Sequence, residues 1–203
     1  MKSITIGPLA TPDQAAVSAL LSDAFAADPA YQYFLDGCAP ADRERYRDHL
    51  VRFIVSYHCR SGMPVWGVTR QGVLVACALL EVPAPGWRRA IAVLTMLPSL
   101  IGRVPWSCVT RMNRYALHSR QGLPTTFRYF LVKIGVAPGQ QGQGFGKQLI
   151  QALADKCLQL GETLALDTEN PANVPLYQHL GFHLHDERKL DTLSIYRLQL
   201  PPE

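Results

Sequence analysis

A chain of 203 residues with 48% hydrophobic composition is long enough to bury one sizeable core, so one domain is expected over residues 1–203. Its formal charge of +4 is spread over 20 basic and 16 acidic residues without Lys/Arg blocks, which excludes a nucleic-acid-binding arm and suits an anionic ligand. Five scattered cysteines (Cys38, Cys59, Cys77, Cys108, Cys157) have neither zinc nor redox spacing and read as reduced, buried thiols.

The amino terminus, MKSITIGPLATPD, lacks an apolar signal core and a small-residue cleavage site. The most apolar run, Ala90 to Gly102, is interrupted by Pro98 and is much shorter than the ~20 residues of a spanning helix. A cytoplasmic protein is expected, monomer or homodimer, with neither nucleic acid nor membrane as partner.

In chain order, a short strand at Ser3 to Ile6 precedes a helix capped by Thr11-Pro12-Asp13, with apolar Ala16, Leu20, Ala24 and Ala27, ended by Asp28-Pro29. A second helix fits Ala41 to Tyr57, where Tyr46, Leu50, Phe53, Ile54 and Tyr57 recur at helical spacing. Val65 to Thr69 and Val73 to Leu80 read as a hairpin around Gln71-Gly72. Residues 87 to 122 predict a helical insertion of two helices separated near Pro105. Phe127 to Val136 then reads as a strand, and Gly144 to Leu160 as a helix with Phe145, Leu149, Leu153 and Cys157 on one face. A strand at Thr163 to Asp167, a short helix at Ala172 to Leu180 and an antiparallel pair ending in Leu193 to Leu200 complete the pattern.

The order strand, Ala137-Pro138-Gly139-Gln140-Gln141-Gly142-Gln143-Gly144-Phe145-Gly146-Lys147, helix aims backbone N–H groups at one spot. The first N–H groups of a helix lack intrahelical partners and share about half a positive charge, so phosphate is favoured there. Glycine at 142, 144 and 146 permits close approach. The dinucleotide fingerprint G-x-G-x-x-G fails at Lys147, and the nucleotide P-loop fails at Gln141 and Gln148, which leaves no hydroxyl for magnesium.

This segment, V-A-P-x-x-Q-Q-G-Q-G-F-G-K, resembles motif A of the GNAT superfamily of N-acetyltransferases, whose core is Q/R-x-x-G-x-G/A. A second block running from Leu166 to Phe182 resembles the family's N-x-x-x-Y-x-x-x-G-F motif through Asn173, Tyr177 and Gly181-Phe182. Ala24-Phe25, Asp28-Pro29 and a closing strand with Tyr196 look like the puromycin N-acetyltransferase-like branch. The resemblance implies an α/β (α+β) fold with a mixed, mostly antiparallel central sheet flanked by helices, and acetyl-CoA as cofactor.

It further implies that Ile134, Gly135 and Val136 give main-chain bonds to the pantetheine arm. Gln141, Gly142, Gln143, Gly144, Phe145, Gly146 and Lys147 would surround the pyrophosphate, with Asn173 and Tyr177 completing the coenzyme site. On this reading an acetyl group passes directly to a primary amine of a small molecule within a ternary complex. Tyr177 is the implied acid for the departing thiolate and the Val136 N–H the donor to the thioester oxygen.

The base is open, because the strand Tyr129 to Ile134 holds no carboxylate where some relatives place glutamate. Glu81, Asp167 or a water chain from either are the candidates. Tyr31, Tyr33, Phe34, Trp87, Trp106 and Tyr129 are candidate linings of the acceptor pocket, with Asp167 as a polar contact to the acceptor, although core packing would explain the aromatic residues equally well. His183 and His185 alternate along a strand, but two ligands do not make a zinc site, so no metal is expected. A non-catalytic CoA-binding regulatory module is the competing reading, and a kinase-like nucleotide site a weaker one.

Overall fold

The computed structural model describes residues 4–121 and 129–200. Strand β1 (Ile4–Pro8) leads into α1 (Gln14–Ala24), whose first N–H groups are capped by the Asp13 carboxylate at 2.9 and 3.2 Å. The sequence pattern runs this helix on to Ala27. Instead the chain breaks after Ala24, and Asp28 caps a separate short helix, α2 (Pro29–Phe34), with proline at its first turn. Helix α3 (Pro40–Arg60) follows, and β2 (Val65–Arg70) and β3 (Val73–Glu81) form the expected hairpin. Its turn residues Gln71 and Gly72 both have positive φ, as a tight two-residue turn requires.

The insertion comprises α4 (Gly86–Met96), a 3₁₀ turn over Leu97–Leu100, and α5 (Trp106–Arg120). Its expected end at Gly122, and Phe127 and Arg128 of the expected strand, lie outside the described residues. Strand β4 (Tyr129–Val136), α6 (Phe145–Gln159), β5 (Leu164–Thr168), α7 (Asn173–His179), β6 (His183–Leu190) and β7 (Leu193–Leu200) complete the chain.

The strands form one seven-stranded sheet in the order β1-β2-β3-β4-β5-β7-β6. Every neighbouring pair is antiparallel except β4 and β5. Alternation along β3 divides its side chains between two cores: Cys77 and Leu79 face α1, α2, α3 and α5, whereas Ala76, Ala78 and Leu80 face α6 and α7. Helices thus cover both faces of a sheet whose middle strands are buried on each side.

Two sequence readings change in three dimensions. Cys38 and Cys108, 70 residues apart, meet with their sulfurs 3.4 Å apart, a proximity invisible in their spacing. The strand geometry that would align His183 with His185 is interrupted, because the β6 register shifts between Leu184 and Asp186.

Candidate functional site

Strand β4 pairs with β3 along nearly its whole length, but with β5 only through Tyr129, Phe130 and Leu131. From Val132 onward β4 therefore leaves β5, and one strand edge opens into a cleft. The cleft is lined by Phe25 and Asp28 on one side, Leu131 to Ile134 along β4, and Leu166 to Glu169, Asn173 and Tyr177 on the other. A gap beside an unpaired edge is where an extended ligand can add main-chain hydrogen bonds.

The direction of those bonds follows from the ladder. The Ala137 N–H donates to Val75 at 2.9 Å, and N–H groups alternate sides along a strand, so Ile134 and Val136 turn theirs to the open edge. Gly135 faces β3 instead. Its expected main-chain bond to the cofactor is therefore replaced by a packing role: a Cβ there would sit 2.9 Å from the Ala24 Cβ and 3.0 Å from Leu21 Cδ2. Glycine lets α1 lie directly on β4. Gly135→Val is expected to destabilise the fold by about 1–3 kcal/mol, measured by urea denaturation, because overpacked side chains force backbone shifts. An unchanged midpoint would refute this role.

The loop after β4 is built for close approach. Gly142 and Gly144 have φ of 74° and 81°, a region disfavoured for residues with a Cβ. Gly146 is helical, and a Cβ there would press on Val136 Cγ2 at 3.3 Å. Gly144 is the N-cap of α6 and supplies no side chain to the free N–H groups of Phe145, Gly146 and Lys147. The first turn also lacks an acidic residue, and Lys147 lies exposed there, an arrangement that favours a bound anion. The Phe145 ring is 4% exposed and belongs to the core, so this residue offers its amide alone. Gln141 is exposed at the loop surface.

Arg70, at the end of β2, was not visible in the motif. It donates to Gln140 at 3.3 Å and to Gln143 at 3.1 Å, which brings a guanidinium to the loop from 70 residues away. Gln143 also donates to the Gly139 carbonyl at 3.3 Å and so braces the turn.

At the inner end, the Tyr177 ring packs edge-on against Phe182 with centroids 5.8 Å apart. Its hydroxyl makes no hydrogen bond among the described residues and remains available to the cleft. Burial first, then the charges of Glu169 and Asp28, raise the Tyr177 pKa above the ordinary tyrosine value. The phenol therefore keeps its proton at neutral pH. Asn173 donates from Nδ2 to Thr168 Oγ1 at 3.3 Å, which joins the start of α7 to the end of β5.

The carboxylates are distributed differently from the expectation. Glu81 does not line the cleft, and both its oxygens are held by arginines: Arg89 at 2.8 Å on Oε1, and Arg120 on Oε2. Both carboxylate oxygens are thus engaged, on a residue outside the cleft lining. Asp167 is likewise committed. Its side chain is 1% exposed and accepts from Arg197 at 2.9 and 3.0 Å and from Ser119 at 2.6 Å.

Glu169 lines the cleft as Asp167 does, but has no arginine partner among the described residues. It lies 6% exposed in the cleft wall beside Tyr177 and accepts a hydrogen bond from the Tyr115 hydroxyl of α5. Burial, outweighing the attraction of Lys133, raises its pKa above the usual glutamate value. Lys133 is itself buried, with Nζ 4.7 Å from the Phe25 ring centre and 5.2 Å from that of Tyr31.

The expected aromatic linings part company. Tyr31 and Phe34 are core residues at 2% and 1% exposure, packed in tilted and edge-on contacts with Phe25 and Tyr115, and Tyr33 donates to Asp191 at 2.7 Å. Trp87 and Trp106 project into solvent from α4 and α5, and Tyr129 is half-buried in the opposite core without lining the cleft.

A family model described as the acetyltransferase (GNAT) family matches residues 25–182, more than half of the chain and the whole of this site. The chain belongs to the acetyltransferase (GNAT) family. Among similar proteins, the N-alpha-acetyltransferase RimI of Mycobacterium tuberculosis is 38% identical over 68 residues, 34% of this chain and 43% of that protein. An uncharacterized N-acetyltransferase of Schizosaccharomyces pombe is 35% identical over 54 residues, 27% of this chain and 22% of that one. The chain thus spans under half the length of these curated relatives. In fold, it is similar to a crystal structure titled histone acetyltransferase HPA2 and related acetyltransferase, from Corynebacterium glutamicum. That likeness has a TM-score of 0.68 at 18% identity and covers 99% of this chain and 97% of the other.

The open β4 edge and the uncapped α6 amides fit the acetyl-CoA that the GNAT family uses. For this family member the parts missed in the sequence are Arg70 and Glu169. Glu169 lies within the second motif block, but nothing in the pattern distinguishes it from its neighbours. No sequence signal links Arg70 to the loop.

Proposed function

We propose that this chain is a single-domain, acetyl-CoA-dependent N-acetyltransferase that acts on a primary amine of a small-molecule acceptor by direct transfer. One observation carries the proposal: a buried glutamate and an unpaired tyrosine hydroxyl share a cleft that opens beside the free edge of β4. The Asp28-Pro29 cap and Tyr196 on the closing strand favour the puromycin N-acetyltransferase-like branch. RimI, named as acting on α-amino groups, supports an amine as acceptor.

Acetyl-CoA supplies an activated thioester acyl group when bound. The Ile134 and Val136 amides at the open edge would hold its pantetheine arm, while Gly142 to Lys147 with Arg70 would hold its phosphates. An alkylamine with pKa ~10.4 is overwhelmingly protonated at neutral pH and must lose a proton before it can attack. Glu169 would accept that proton on its carboxylate, because a buried base of raised pKa retains it better than an exposed one. Tyr177 would hold its own proton at Oη for the sulfur side.

Direct transfer is favoured over a cysteine acyl-enzyme. No cysteine lines the cleft, and burial pushes the Cys77 and Cys157 thiols up to about 12, which leaves no thiolate nucleophile at either position.

A thiol-release assay with acetyl-CoA against a panel of amines tests the reading, with thermal shift by CoA and by ATP beside it. Release that depends on amine, together with stabilisation by CoA alone, is expected. CoA stabilisation with no turnover on any amine would favour a non-catalytic module, and stabilisation by ATP alone a nucleotide site. Tyr177→Phe is expected to lower kcat about 100-fold with CoA affinity unchanged, measured by steady-state kinetics and calorimetry. Wild-type turnover in that variant would remove the acid role.

A further inference from the structure

Helix α4 is apolar on the wrong side for a water-facing element. It buries Ala92 and Met96 against the body, yet Trp87, Ile91 and Leu94 recur at i, i+4 and i+7 on its outer face. Their exposures are 60%, 52% and 72%. The segment that follows continues the pattern, with Ile101 at 70% and Trp106 at 63%. Large apolar residues gathered like this mark a contact surface rather than ordinary solvent-facing residues.

The charge carried by the insertion itself is of one sign. From Val82 to Ala154 the sequence contains no aspartate or glutamate, while the insertion carries Arg88, Arg89, Arg103, Arg111, Arg114 and Arg120. Four of these are engaged: Arg89 and Arg120 by Glu81, Arg111 by Asp36 and Arg114 by Asp191. Arg88 and Arg103 have no ion pair among the described residues, and both are exposed. Arg88 lies over the Trp87 ring at 5.5 Å. On the neighbouring α3 surface Arg45 and Arg52 stand with Glu44 and Asp48 around His49, where burial and the charges of Arg52, Arg103 and Arg45, against that of Asp48, hold the imidazole below its usual range. Arg52 is exposed and likewise unpaired among the described residues.

We propose that the outer face of α4 and the following turn dock this protein on the surface of a bilayer rich in anionic headgroups. Tryptophan, isoleucine and leucine would enter the headgroup boundary, and Arg88, Arg103 and Arg52 would lie at the level of lipid phosphates. The run from Ala90 to Gly102 is too short to span a membrane, and no described helix is long and apolar enough to cross one. Lying flat requires no such length. The expectation of no membrane partner is thereby replaced by surface attachment. A second copy suits the face poorly, because a two-fold interface would bring together two copies of an insertion that carries arginines and no carboxylate.

The test is co-sedimentation of the full chain with phosphatidylcholine vesicles with and without phosphatidylglycerol, alongside tryptophan emission. Binding to the anionic vesicles alone is expected, with a blue shift from Trp87 and Trp106 over the half-buried Trp66. The pair Ile91→Ser with Leu94→Ser, and separately Arg88→Glu with Arg103→Glu, should each weaken vesicle affinity at least about tenfold. Both variants should still be stabilised by CoA, since neither pair touches the cleft, and this confirms folding. No sedimentation with either vesicle, equal sedimentation with neutral lipid, or undiminished binding by the variants would overturn the proposal. So would a wild-type dimer on gel filtration that the serine variant converts to monomer, because a second copy would then cover the face.

Discussion

Replacing Glu169 by glutamine is expected to reduce kcat/KM by about 100- to 10,000-fold, the range for loss of a positioned general base. The amide keeps the shape of the side chain and can still accept from the Tyr115 hydroxyl, so the link to α5 is preserved. What is removed is the capacity to take a proton. The pH profile carries the sharper signature. Because burial raises the Glu169 pKa above the ordinary value, the acidic limb of kcat/KM in the wild type should lie above the usual glutamate range. Below that pKa the carboxyl is protonated and cannot serve as base, so activity falls with falling pH, and in Glu169→Gln this limb should vanish. Thermal stabilisation by CoA should persist, which separates loss of chemistry from loss of fold. A variant with wild-type rate, or with its acidic limb intact, would return the search for the base to another group.

The second large effect concerns Asp167, whose carboxylate is committed to a buried ion pair at the cleft wall. Asp167 and Arg197 are both 1% exposed, and their bidentate pair is completed by Ser119 of α5 at 2.6 Å. Arg197 also donates to the carbonyl of Ser119 and, at 3.2 Å, to that of Gln121, so the pair fastens the end of α5 to β5 and β7. Asp167→Ala leaves a buried guanidinium uncompensated, and a loss of about 3–5 kcal/mol is expected. For a chain of this size that corresponds to a melting temperature lower by roughly 6–20 °C. The double change Asp167→Leu with Arg197→Met should recover part of the loss, because replacing both charges removes the uncompensated one. A double variant less stable than Asp167→Ala would show that the charge is not the origin of the effect.

The two experiments are coupled through α5, whose Tyr115 reaches Glu169 and whose Ser119 reaches Asp167. A loosened α5 is therefore expected to lower activity as well as stability. Measuring Asp167→Ala kinetics well below its melting point keeps the two contributions apart.

The sequence alone determined what depends on near neighbours. The glycine loop, the helix it opens and the Asn173 to Phe182 block are local patterns, because phosphate-binding amides, caps and helical faces are set within a few residues. The hairpin at Gln71-Gly72 and most strand positions followed from the same short-range chemistry. Only the tertiary structure decided which of the candidate carboxylates is left without an arginine partner. Glu81, Asp167 and Glu169 all lie at or just beyond strand ends, and what separates them is the position of arginines from distant segments: Arg89 and Arg120 on Glu81, Arg197 on Asp167, and none among the described residues on Glu169. Tyr31, Phe34 and Trp87 divide for the same reason, since composition cannot say whether an aromatic ring meets the core or the solvent. Long-range charge pairing and burial are properties of the packed chain, and no spacing along it encodes them.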